Sequence, residues 1–134
     1  MLDGYAWPQS VLPGEEVTLH VSSTNPFGIE AAREGGERDV VWQADAVPGT
    51  EHPIPATASA QGCRWPTTLT IPVGDDWRSG YYSLTLSSGD ERADTFFVVR
   101  PRHDLSPILL VLSTATYNAY NDWGGPSLYT GGTR

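Results

Sequence analysis

Val17-Thr18-Leu19-His20-Val21-Ser22 alternates apolar and polar residues without a break. Side chains along a strand point to opposite faces with period two. Val17, Leu19 and Val21 therefore share one face and Thr18, His20 and Ser22 the other, the pattern of a half-buried strand. Pro13-Gly14-Glu15-Glu16 just before it supplies a turn. Downstream, Phe27 to Arg33 reads as a second strand, with Ile29 and Ala31 on one face and Gly35-Gly36 closing it. Asp39-Val40-Val41-Trp42-Gln43 is a third. From Ala44 to Trp65 the chain carries Pro48, Gly49, Pro53, Pro55 and Gly62, which predicts an irregular connection or short edge strands. Alternation returns in Thr67-Thr68-Leu69-Thr70-Ile71-Pro72. The loop Val73 to Gly80 leads into Tyr81-Tyr82-Ser83-Leu84-Thr85-Leu86, the turn Ser88-Gly89-Asp90-Glu91 follows, and Arg92 to Arg100 closes the set. Strands this short, about 10 to 15 residues apart, predict a mainly β fold, an immunoglobulin-like β-sandwich over residues 1–101. No internal repeat and no amphipathic helical pattern is visible.

Acidic residues number 16 against 8 basic ones, and every basic residue is Arg. A net charge of −8 repels phosphate backbones and anionic lipid, so neither nucleic acid nor a membrane is an expected partner. One cysteine, Cys63, excludes an internal disulfide. With no N-terminal leader pattern in Met1-Leu2-Asp3-Gly4, this leads to an expected cytoplasmic location. His20, His52 and His103 lack metal-ligand spacing and are expected in packing or surface roles, as is Cys63. Asp75-Asp76 and Asp90-Glu91 belong to turns.

After Pro101 the character of the chain changes. Residues 102–107 form a short linker between prolines, which keep it extended. Ile108-Leu109-Leu110-Val111-Leu112 is then continuously apolar. Such a run suits a strand covered on both faces of a parallel sheet. Ala115-Thr116-Tyr117-Asn118-Ala119-Tyr120-Asn121-Asp122-Trp123-Gly124-Gly125 follows, with Tyr129 close behind. Open α/β sheets place ligands at the carboxyl ends of their strands, and this polar, aromatic segment sits there. Phenol oxygens can hydrogen-bond a substrate or ligate ferric iron, and Asn can orient an amide; aromatics in a loop also pack against whatever they cover. Residues 108–134 accordingly read as the first strand and active-site loop of a truncated or split α/β domain.

The run Pro107 to Thr114, with Thr116 to Gly125 and Ser127-Leu128-Tyr129, resembles the large subunit of N,N-dimethylformamidase and its bacterial relatives. Pro13-Gly14-Glu15, Ile29 to Gly35 and Trp77-Arg78-Ser79-Gly80-Tyr81-Tyr82 resemble, more weakly, the β-domain that precedes the catalytic domain in that family. The resemblance implies a catalytic domain similar to class I glutamine amidotransferases. It implies an amide C–N hydrolase with a mononuclear iron held by two tyrosines and a glutamate. Tyr120 would be the first tyrosine ligand, with Tyr117 the second choice. Tyr120 and Asn121 would be catalytic, and Tyr117, Asn118 and Trp123 would contact a small amide substrate. The remaining ligands would come from a second polypeptide, so this chain alone is expected to be inactive. The competing expectation is a non-catalytic binding or scaffolding subunit whose C-terminal tail docks into a partner's sheet.

Overall fold

A computed structural model describes residues 1–103, 107–123 and 125–130. The chain divides into two compact units, Met1–His52 with Trp65–Ser106, and Pro53–Arg64 with Pro107–Arg134.

The first unit is mainly β. Strand β1 (Leu2–Trp7) and β3 (Glu16–Ser23) pair antiparallel, and β6 (Leu69–Pro72) lines the other side of β3, giving a three-stranded sheet. The second sheet has five strands: β2 (Ser10–Val11), β8 (Glu91–Val99), β7 (Gly80–Ser88), β4 (Phe27–Arg33) and β5 (Asp39–Val47), in that spatial order. β2 runs parallel to β8, whereas the neighbouring pairs in that sheet are antiparallel. The chain thus leaves one sheet after β1 and joins the other at β2, across the cis Trp7–Pro8 bond. This strand order, with successive strands crossing between sheets, is that of immunoglobulin-type sandwiches.

The core follows from the alternation. Val17, Leu19 and Val21 of β3 are buried, as are Ile29 and Ala31 of β4 and Leu84 and Leu86 of β7. β1 contributes Leu2 and Ala6. Between them Gly4 faces the same way, and a Cβ there would meet Leu86 Cδ1 at 3.0 Å and His20 O at 3.1 Å. Its lack of a side chain lets the two sheets approach. Trp77, Tyr82 and Phe97 form the aromatic end of the core. Trp77 stacks on Tyr82 at 5.2 Å between centroids, and Tyr82 on Phe97 at 5.3 Å. The Tyr82 hydroxyl donates to Arg78 O at 2.5 Å, a tyrosine corner tying the start of β7 to the loop before it.

The other face of β3 is not open. His20 stacks on Tyr5 at 4.8 Å, and its Nδ1 donates to Trp65 O at 2.8 Å. The Trp65 amide donates to the Tyr5 hydroxyl at 3.0 Å. Ser22 Oγ donates to His52 O at 3.0 Å and accepts from His52 N–H at 2.8 Å. Thr68 Oγ1 accepts from Val21 N–H at 2.9 Å. The ends of the proline-rich connection therefore cover this face. Its middle holds a four-residue helix, α1 (Ala58–Gln61).

At the far end of the first unit, the Arg102 guanidinium donates to Pro13 O at 2.7 Å and pairs with Asp75. The linker thus leaves β8 fastened to the turn before β3.

Ile108–Leu112 pairs with no strand among the described residues. Ile108, Leu109, Leu110 and Val111 are 81%, 85%, 60% and 75% exposed. One expectation for the C-terminal segment needs correction. The stretch after this run is not wholly loop: Thr114–Tyr120 forms helix α2. Ala115 and Ala119 favour it, and no Gly or Pro interrupts Ser113 to Trp123.

Burial pushes the Tyr82 phenol pKa above its ordinary value. Folding therefore favours the neutral phenol. That contribution is complete below pH ~10, the unfolded value, and disappears as pH rises through the folded one. Tyr82→Phe should cost about 1–2 kcal/mol in urea unfolding at pH 7. It should also remove the part of the alkaline stability loss due to this phenol, seen by comparing the two proteins above pH ~10.

Candidate functional site

The residues singled out by sequence fall on α2 and the turn behind it. Tyr117, Asn118 and Tyr120 lie on the helix, Tyr117 and Tyr120 one turn apart. Asn121 caps its C-terminus in an extended conformation, and its amide donates to Tyr117 O at 3.0 Å. The Asn121 side chain turns forward, Oδ1 accepting from Trp123 N–H at 3.0 Å. Gly125, at φ +95°, reverses the chain, and its amide donates to Asp122 O at 2.7 Å.

The reversal brings the chain back to the helix. The Leu128 amide donates to Ala119 O at 3.1 Å, satisfying a carbonyl that the helix end leaves without an intrahelical donor. Ser127 and Thr130 close a compact turn. Ser127 N–H donates to Thr130 Oγ1 at 3.0 Å, and the amides of Tyr129 and Thr130 donate to Ser127 Oγ at 3.2 and 3.1 Å. Tyr129 then stacks on Tyr120, centroids 4.4 Å apart and planes 18° from parallel. The arrangement joins Tyr120 to Tyr129, a residue counted among the aromatics of this segment in the sequence but given no role there. Stacking between residues nine positions apart with glycines between them leaves no periodic signal in sequence.

Chemically, the segment presents phenol oxygens, amide side chains and an indole. Tyr120 is 62% exposed and Tyr129 67%, so both rings are accessible to a ligand. The exposed phenol of Tyr120 is a hard oxygen donor that suits one position around a ferric ion. Among the described residues no three His, Cys, Asp or Glu side chains cluster to hold a metal. A single exposed phenol is one oxygen donor, and the described residues assemble no His, Cys, Asp or Glu cluster around it.

A concavity lies on the outer face of the five-stranded sheet. It holds about 200 Å³ and is bordered by Glu34, Arg38, Tyr81, Arg92, Asp94 and Phe96. Its charges are matched internally. Arg38 meets Glu30 at 2.5 Å and Glu34 at 3.4 Å, and Arg92 meets Asp94 at 3.2 Å. The hydrogen bond from Arg92 holds the Asp94 carboxyl below the usual carboxylate range. Cys63 is buried, and His20 serves packing. No described helix is long and apolar enough to cross a membrane.

The fold and segment together define a two-sheet β-protein with an appended helix and aromatic turn. The sequence pattern of the family described as N,N-dimethylformamidase beta subunit-like, C-terminal, matches residues 28–134, and the chain belongs to that family. The match runs from β4 through the Tyr129 turn. No curated protein matches the chain. Among solved structures, one similar chain comes from "Structural basis for Dscam isoform specificity", 11% identical, covering 75% of this chain at a TM-score of 0.45. This chain spans 21% of that one.

Ser127→Ala removes the acceptor for two amides of the turn. Amide exchange at Tyr129 and Thr130 should accelerate by about tenfold, equivalent to ~1.4 kcal/mol of local opening, while β7 amides keep their protection. Two-dimensional NMR after transfer to deuterated water measures both.

Proposed function

We propose that the chain is part of an amide hydrolase of the dimethylformamidase kind, supplying the sandwich and one portion of the active site. A second polypeptide supplies the rest of the catalytic domain, built on an α/β sheet like that of class I glutamine amidotransferases. Membership of the family supports the chemical class. The observation that carries the reading is the exposure of Ile108, Leu109, Leu110 and Val111 directly before the aromatic segment. Burial of such side chains stabilises by roughly 1.5–3 kcal/mol each, and here that stabilisation is unrealised. A partner sheet that accepted this run as a strand would bury it and would set α2 at the strand's carboxyl end, where α/β folds bind ligands.

In this reading the domains divide at 1–101, 102–107 and 108–134. Tyr120 is the iron ligand on this chain, with Tyr117 the second choice, and Asn121 sits beside the reacting amide. Tyr117, Asn118 and Trp123 contact the substrate, a small N-substituted amide. Bound iron would supply Lewis-acid polarisation of the amide carbonyl. This chain's residues would bind and orient the amide, the Asn side chains donating to its oxygen or accepting from its N–H.

The test is co-production of the chain with a polypeptide carrying the rest of the domain. The pair should contain about one iron per assembly and hydrolyse N-substituted formamides, and the chain alone should do neither. Tyr120→Phe should abolish both properties, whereas Tyr117→Phe should leave iron content unchanged. Leu109→Asp with Val111→Asp should prevent assembly without changing the sandwich's melting temperature. An assembly that forms equally well with both aspartates, or an iron content untouched by Tyr120→Phe, would refute the corresponding half of the proposal.

A further inference from the structure

We infer that Tyr129 is a positioning residue for Tyr120, fixing the ring that presents the phenol oxygen to a hard cation. The inference rests on the reading of Tyr120 as the chain's site residue and goes beyond it.

Helix α2 has seven residues, too few to persist in water by itself. The backbone bond from Leu128 to Ala119 and the Ser127–Thr130 turn hold a second segment against its last turn. That contact delivers one ring to one place, parallel to Tyr120 at 4.4 Å. Both rings remain largely exposed, so the stack is not a way of filling a core. An exposed tyrosine samples several χ1 rotamers. A ring laid along one face leaves Tyr120 the rotamer that keeps the stack. The phenol oxygen lies at the ring's tip, so fixing the ring fixes the donor, and pre-organised ligands bind without first paying that ordering entropy.

Two measurements on the full chain test this. With tyrosine rings labelled with ¹³C, and the Tyr120 signals assigned from Tyr120→Phe, Tyr129→Leu should move those signals to the positions of a solvated tyrosine. Tyr129→Phe, which keeps a stacking ring, should leave them displaced. Tyr82 signals serve as the fold control and should not move. Tyr120 signals unaltered by Tyr129→Leu would overturn the inference. The second measurement adds ferric iron to the chain joined with the polypeptide that completes the site, and follows the visible phenolate-to-iron absorption. Tyr129→Leu should weaken iron binding by about tenfold or more, and Tyr129→Phe should restore it. Equal iron binding by Tyr129→Leu and the native protein would overturn the positioning role even where the stack is confirmed. An absorption that survives Tyr120→Phe would instead overturn the assignment of Tyr120 as ligand, a failure the ring signals distinguish from loss of the stack.

Discussion

Strand β3 is covered from both sides, and the architecture of the first unit depends on that. Its Val17, Leu19 and Val21 face the five-stranded sheet. On the other side His20 and Ser22 bond Trp65 and His52 at the ends of the proline-rich connection, Thr68 takes the Val21 amide, and Thr18 bonds Trp7 O of β1. A three-stranded sheet has little hydrophobic area, and one open face would leave Tyr5 and His20 stacked in water. The connection adds a layer in which polar side chains meet backbone groups. Such bonds are directional where apolar contacts are not, so they fix the path of a segment that has no regular structure to fix it.

The alternating strands were legible because each buries one face and solvates or covers the other. Phe27–Arg33 has the bounds read from sequence, and β7 and β8 differ only at their ends. β5 runs on to Val47, beyond the expected Gln43. Strand β1 escaped because its inward positions are Leu2, Gly4 and Ala6, and a glycine at the centre erases the apolar signal. The same glycine is what the packing requires, since Leu86 and the His20 carbonyl occupy the space a methyl group would need. The connection was legible as irregular but not as a cover, because its contacts join residues 30 to 60 positions apart through backbone atoms that carry no sequence identity.

The C-terminal segment was legible as composition and not as conformation. Tyr117, Asn118, Tyr120, Asn121 and Trp123 do lie on one short stretch, yet the helix beneath them was unexpected. One helical turn from Ala115 to Ala119 is below the length at which periodicity can be counted. The helix also relies on Leu128 and Tyr129, which lie past a glycine pair and have no fixed spacing to it.

In the proposed assembly the apolar run before α2 is where a partner would attach. Among the described residues it joins neither sheet, although the sandwich has edge strands in β5 and β6. β5 carries exposed Asp39, Gln43 and Asp45, and charge along an edge discourages strand addition. A second copy of the chain would carry the same net charge of −8, a repulsion that association would have to offset. A different polypeptide escapes both objections. It can offer an uncharged parallel neighbour, and it can lack an acidic surface. In the proposed assembly the acidity of this chain weighs against a like-charged partner, and it does so through long-range repulsion, before any specific contact is made.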